Sequence, residues 1–272
     1  MKDMQASLKK QDEAIAAKMA AVKNKVLVMS GKGGVGKSTV AVNLAAAMAA
    51  AGKKTGLLDI DLHGPNAARM LGIAGMRLEA DGEELVPWRV NENLSVCSLA
   101  LLGADPSTAI IWRGPRKTSA IKEMLGSVKW GNLDYLFLDS PPGTGDETLT
   151  AAQVIPDLTG AVLVTTPQEV ALDDARRSAS FARSLKLRIL GVVENMSGFV
   201  CPGCGLETPV FSGGGGEKLA AELGAAFLGR IPLDPRAMAL ADSGRTLFEL
   251  EAGKTLDAVK AMAARFRELC GG

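Results

Sequence analysis

Short, continuous apolar runs alternate with helical patterns along nearly the whole chain. The runs are Val26–Met29, Thr55–Ile60, Leu94–Leu99, Tyr135–Asp139, Ala161–Thr165, Ile189–Glu194 and Ala226–Ile231. A strand with one face in water alternates apolar and polar residues. Runs that are apolar throughout belong to strands covered on both faces. The alternation predicts an α/β fold: a doubly wound, mainly parallel sheet with helices on both faces, in a single domain. The region Met76 to Val90 breaks the pattern, and Asp81-Gly82 between two short β-like stretches predicts a hairpin. Leu256, Val259, Met262, Ala263, Phe266 and Leu269 form one stripe of a last helix, which is expected to pack on the sheet. Residues 1–24 are rich in Lys, Ala, Gln and Asp and lack the apolar centre of a signal peptide. They read as a helical or disordered arm before a domain spanning 25–272, although Ile15, Met19 and Val22 recur at helical spacing.

The first apolar run leads into Ser30-Gly31-Lys32-Gly33-Gly34-Val35-Gly36-Lys37-Ser38-Thr39, and a helical pattern follows at once. Strand, glycine-rich loop and helix are the context of a phosphate-binding P-loop, and Gly31, Gly36, Lys37 and Ser38 occupy its fixed places. Glycines let several backbone N–H groups converge on one anion, and the positive end of the helix points at the same place. Lys37 is expected on the β- and γ-phosphates and the Ser38 hydroxyl on Mg²⁺, with Gly31 to Thr39 wrapping the nucleotide.

Ligands of such sheets bind beyond the carboxyl ends of the strands. The second run ends in Asp59-Ile60-Asp61, two carboxylates on one side of the chain. Asp61 is expected to position the attacking water, while Asp59 supports the metal shell or the loop, with a plain cap on the helix that starts near Asn66 as the alternative. His63 is the single histidine, and no catalysis is assigned to it. The fourth run ends in Asp139, the Walker B arrangement, which would hold Mg²⁺ through water. Pro141-Pro142-Gly143 follows as a stiff turn able to sense the γ-phosphate. Asn195, after the sixth run, and Pro232 and Asp234, around the end of the seventh, are expected on the adenine side, where an amide can both donate and accept. Trp112-Arg113-Gly114-Pro115 precedes a helix, and Arg113 and Arg116 could serve a nucleotide, a partner or a plain surface turn.

Composition narrows the function. The 272 residues suffice for a full α/β core, and the formal net charge of +1 gives no argument for nucleic acid or a membrane surface. No apolar run reaches membrane-spanning length. A cytoplasmic protein is the default. Four cysteines are too few and too unevenly spaced for a secreted disulfide framework. Two of them form Cys201-Pro202-Gly203-Cys204, in a loop at 198–211, where the pair could bind metal, form a redox disulfide or do neither. A redox pair would open a helix after an early strand, so metal is favoured. A closed site needs four ligands, and Cys97 lies in a predicted strand and Cys270 at the C-terminus. The arithmetic points to two chains giving two thiolates each.

Lys32 lies inside the phosphate loop. Lys-Gly-Gly-Val-Gly-Lys-Ser resembles the deviant Walker A motif of the MinD, ParA and nitrogenase iron-protein class of ATPases. That resemblance implies that Lys32 reaches across a dimer interface to the other copy's nucleotide, and makes Lys32, Lys37 and Asp61 the catalytic candidates. Taken with Asp59–Pro65, Trp112–Pro115, Asp139–Asp146, Glu194–Ser197 and Ile231–Pro235, and above all with Asn-Met-Ser before Cys-Pro-x-Cys, the chain resembles the Mrp/ApbC family of iron–sulfur cluster carriers. The resemblance covers nearly all of residues 25–250. It implies an ATPase and a homodimer holding a 4Fe–4S cluster on Cys201 and Cys204 of both copies, and turnover is expected to be slow because no cis arginine finger is evident. It also implies delivery of that cluster to apo iron–sulfur proteins under the control of ATP and Mg²⁺. Asn66 stands where the family usually has Ser. The runner-up readings are a MinD/ParA-like positioning ATPase, which leaves the cysteine pair without a purpose, and a zinc-stapled nucleotide-dependent scaffold.

Overall fold

The structure is a computed structural model that describes residues 2–102, 114–211 and 213–271, and of residues 2–8 and 114–116 the backbone only. Trp112, Arg113 and the Arg116 side chain, named above, lie outside the described residues.

The strands are β1 (Val22–Ser30), β2 (Thr55–Asp59), β3 (Glu79–Asp81), β4 (Glu84–Val86), β5 (Trp88–Arg89), β6 (Leu94–Ser98), β7 (Leu133–Asp139), β8 (Gly160–Thr165), β9 (Ile189–Val200), β10 (Glu207–Thr208) and β11 (Ala226–Leu233). Nine of them form one sheet in the order β10-β9-β8-β1-β7-β2-β6-β5, with β11 also on β9. All seven runs read from the sequence are strands of this sheet, and they pair with one another in parallel. Only the short β5 and β10 run antiparallel to it. The remaining two, β3 and β4, form the expected hairpin, with Gly82 in its turn.

The helices are α1 (Lys2–Ala20), α2 (Lys37–Ala50), α3 (Ala67–Met70), α4 (Gly114–Ser127), α5 (Asp146–Val154), α6 (Glu169–Ser184), α7 (Gly215–Leu223), α8 (Pro235–Asp242) and α9 (Lys254–Leu269). They cover both sheet faces, which explains the unbroken apolar runs. Within β1, Val26 and Val28 enter one core with α2 and α9, while Leu27 and Met29 enter the other with α1, α4, α6 and α7. Adjacent strand residues point to opposite faces, so each must be apolar. The α9 stripe is buried as expected, with Val259, Met262 and Phe266 fully enclosed.

Two boundaries differ from the sequence reading. Residues 2–20 form α1, whose Ile15 and Met19 are completely buried, and β1 begins at Val22, inside the expected arm. Lys25 is also buried, and its Nζ donates to the Met19 and Val22 carbonyls at 3.4 and 3.3 Å, tying the end of α1 to β1. The sixth run continues beyond Glu194 to Val200 and turns back through β10, so Asn195 to Ser197 lie in a strand and not in a loop. Pro232 likewise lies within β11, where it removes little, because β11 pairs on one side only.

Candidate functional site

The phosphate loop joins the carboxyl end of β1, in mid-sheet, to the first turn of α2. Residue 36 precedes the helix in a left-handed conformation (φ 81°), which only glycine takes freely. Gly31 lies against the backbone of α6: a Cβ there would come within 2.1 Å of the Asp174 carbonyl carbon. Between the loop, α3 and α8 is an open cleft of about 420 Å³. The whole run from Lys32 to Thr39 lines it, together with Asp61, Pro142, Arg69 and Asp242.

Lys37 and Asp139 meet beneath this cleft. Lys37 Nζ donates to Asp139 Oδ1 at 2.5 Å and lies 3.3 Å from Ser38 Oγ. Lys37 is 7% exposed and Asp139 is fully buried. Burial raises the Asp139 pKa, against the opposing charge and hydrogen bond of Lys37. Among the described residues Asp139 Oδ2 has no hydrogen-bond partner. An orphaned, buried carboxylate oxygen near a serine hydroxyl is an oxygen donor set that fits Mg²⁺, a hard cation that prefers such ligands. Ser38 and Asp139 would hold the ion, which would neutralise phosphate charge there.

Asp59 and Asp139 face each other across the β2–β7 ladder. Burial, and then the charge of Asp139, pushes the Asp59 carboxyl up to about 8. Its oxygens accept from the backbone N–H groups of Asp61 (3.1 Å) and Ala67 (3.1 Å), so it holds the loop and caps α3. Among the roles expected of Asp59, these contacts serve the loop and the cap. Asp61 accepts from the His63 and Gly64 amides through Oδ1 and lines the cleft. Lys32 is partly exposed at the rim, and its ammonium forms no ion pair among the described residues.

The residues expected on the adenine side make contacts within the protein. Asn195 is buried, and its Nδ2 donates to the Val35 carbonyl at 2.9 Å, so its donor serves the phosphate loop. Asp234 caps α8 through the Arg236 amide (3.0 Å) and accepts from the Arg236 guanidinium (2.8 Å) and the Thr255 hydroxyl (2.8 Å). Asn195, Pro232 and Asp234 are not among the residues lining the cleft, where Arg69, Met70, Ala241 and Asp242 stand instead. No sequence signal marked those four, because α3 and α8 are short and carry no motif.

Cys201 and Cys204 lie at the tip of the hairpin formed by β9 and β10. Cys201 is half-buried, Cys204 is exposed, and both are free thiols. The Cys201 N–H donates to the Leu206 carbonyl at 2.9 Å, and the Gly205 N–H to the Cys201 carbonyl at 2.8 Å. Hydrogen bonding from the Cys204 and Gly203 backbone lowers the Cys201 pKa, which favours the thiolate that binds metal. Cys97 is buried in the core, where desolvation, and then the charge of Asp59, pushes its thiol up to about 12. Among the described residues no group of three or more Cys, His, Asp or Glu side chains is arranged to hold a metal ion. Two thiolates per chain are therefore what the hairpin offers.

A parallel sheet with a phosphate loop after its central strand, a Walker B aspartate beneath it and a lysine within the loop defines a P-loop nucleoside triphosphatase of the deviant Walker A class. The chain belongs to the ParA-type family described as NUBPL iron-transfer P-loop NTPase, whose model matches residues 21–267. It is 49% identical to the iron-sulfur cluster carrier protein of Methanocaldococcus jannaschii over 242 residues, 89% of this chain and 83% of that one. It is 47% identical to the cytosolic Fe-S cluster assembly factor NUBP2 homolog of Monosiga brevicollis, over 92% of this chain and 89% of that one. Among solved structures, a nucleotide-binding protein from Archaeoglobus fulgidus in complex with ADP superposes with a TM-score of 0.76 at 37% identity, covering 90% and 98% of the two chains. The Aquifex aeolicus cell-division protein MinD shares the fold (TM-score 0.64, 23% identity, 90% and 97% covered).

Proposed function

We propose that this protein is an ATP-dependent iron–sulfur cluster carrier. Two copies hold one 4Fe–4S cluster with Cys201 and Cys204 of each, and the cargo passes to apo iron–sulfur proteins. The observation that carries this reading is the pair of free thiols at a hairpin tip, Cys201 half-buried and Cys204 exposed, with Cys201 held toward its thiolate by neighbouring backbone groups. The family match and the names of the relatives support it. A cubane needs four thiolates, and two per chain make a homodimer the simplest assembly. Lys32 reaches the nucleotide of the other copy, Lys37 and Mg²⁺ neutralise the phosphates, and Asp61 orients the attacking water. Nucleotide and cluster share one interface, so closing around the first alters the hold on the second. A cytoplasmic location suits a chain with exposed free thiols, and among the described residues no helix is long and apolar enough to cross a membrane.

The test is iron, acid-labile sulfide and zinc per chain on anaerobically purified protein, with its mass in solution, for wild type, Cys201→Ala and Cys204→Ala. The carrier reading expects equal iron and sulfide at half a cubane per chain on a dimer, both lost in either variant. Zinc without sulfide identifies a stapled scaffold and overturns it, as does a metal-free monomer.

A further inference from the structure

The strand that carries the cysteine hairpin also grips the phosphate loop. Asn195 donates to the carbonyl of Val35, and its amide fills the space beside Gly36, where a Cβ would lie 2.1 Å from Nδ2. That carbonyl belongs to the Val35–Gly36 peptide. The peptide is trans, so its N–H points away from Asn195. Asn195 thus fixes the plane of a peptide whose opposite edge is one of the loop's phosphate donors.

Immediately after Asn195 the strand is irregular. Ile231 of β11 pairs with Asn195 and Leu233 with Phe199, so Met196, Ser197 and Gly198 bulge opposite the single residue Pro232. Met196 is a non-glycine residue at φ 56°, a left-handed conformation costing about 1 kcal/mol or more that persists only where surroundings enforce it. The surroundings are visible. Glu194, fully buried, accepts from Ser197 Oγ at 2.5 Å and from the Gly216 amide at 2.6 Å. The Met196 methyl reaches back to within 3.9 Å of a Cβ position on Gly36. Phe199 and Val200 then pair with β10, and Cys201 follows.

We propose that Asn195 is a positioning residue that couples phosphate seating to the cysteine hairpin. A phosphate on the Gly36 amide locks the Val35–Gly36 peptide, the Asn195 amide holds the far side of that peptide, and the bulge transmits the order to Cys201 and Cys204. Hydrogen bonds on the two edges of one peptide strengthen each other, so each site biases the other. The coupling runs within one chain, and it rests on the reading that residues 31–39 bind nucleotide.

The test uses full-length, metal-free, reduced protein. Alkylation of Cys201 and Cys204 by iodoacetamide is followed by peptide mass with and without saturating MgADP, and the mass in solution is followed in parallel to separate burial by self-association. In wild type the nucleotide should slow alkylation about fivefold or more. Asn195→Asp keeps the shape but sets a carboxylate oxygen against the Val35 carbonyl, and the slowing should vanish at saturating nucleotide. Ser197→Ala cuts the bulge tie without touching the loop, so nucleotide affinity should change by no more than the factor of coupling lost while the slowing falls by at least about half. Equal rates with and without MgADP in wild type, or full slowing in Ser197→Ala, overturn the proposal even if Asn195→Asp does not fold. Protein that shows the slowing but binds no iron overturns the carrier reading and leaves the coupling standing.

Discussion

Replacing Lys37 by Met should destabilise the nucleotide-free protein by about 3 kcal/mol, a buried-charge effect separate from any loss of catalysis. Lys37 and Asp139 lie 2.5 Å apart with 7% and 0% exposure, and Asp59 stands across the ladder. At that separation an effective dielectric of 20 gives an attraction of about 7 kcal/mol, most of it offset by desolvation of the two charges. Removing one partner leaves the desolvation uncompensated, which costs about 3–5 kcal/mol. Protonation limits the loss. Burial already raises the Asp139 pKa, and without the ammonium it rises further, so the carboxyl can neutralise itself. The deficit of Lys37→Met should therefore be largest at pH 8 and smaller at pH 6. Lys37→Met/Asp139→Asn removes both charges and should cost less than half the sum of the single variants. Urea unfolding by circular dichroism, without nucleotide or Mg²⁺, measures all four proteins. A Lys37→Met protein within about 1 kcal/mol of wild type at pH 8, or a double variant that loses the full sum, would refute the buried pair as a stabilising unit.

Three further outcomes follow from named contacts. Ile15→Ala opens a cavity under α1 at a fully buried position and should cost about 2–5 kcal/mol in the same urea assay, which a loosely attached arm would not show. Gly36→Ala places a Cβ 2.1 Å from the Asn195 amide at φ 81°. It should destabilise by about 1–3 kcal/mol and abolish binding of a fluorescent ATP analogue. The Asp59 carboxyl, pushed up to about 8 from an ordinary 3.8, keeps its proton in the folded protein while the unfolded chain releases it. That contribution to stability is complete below about pH 4 and is lost as pH rises to about 8, so wild type should lose ground to the non-titrating Asp59→Asn across that interval and hold a constant difference above it, read from urea midpoints.

The phosphate loop, the Walker B aspartate and the cysteine pair were legible because each depends on local spacing. Glycines and a lysine within ten residues between a strand and a helix, or two thiols three apart, announce their chemistry through spacing that sequence shows directly. The contact of Asn195 with the phosphate loop was not legible. Its partner, Val35, is 160 positions away, and nothing in Glu-Asn-Met-Ser announces a bulge. For Asp234 the Arg236 contact is local, but Thr255 joins it only when α9 folds back beside β11. The cleft-lining Arg69 and Asp242 sit on two short helices that tertiary packing brings to one rim.

The sequence by itself determined the layered architecture, since seven runs apolar on both faces can be satisfied only inside a sheet covered on both sides. It also determined the phosphate-loop motif and the pairing of two thiols in one loop. Tertiary structure alone decided the strand order and the burial of Lys37 against Asp139. It decided that α1 belongs to the core, and that one strand holds both the phosphate loop and the cysteines. The reason is physical. Periodicity and motif spacing act over one element, whereas burial, pKa shifts and side-chain partners depend on which distant elements become neighbours.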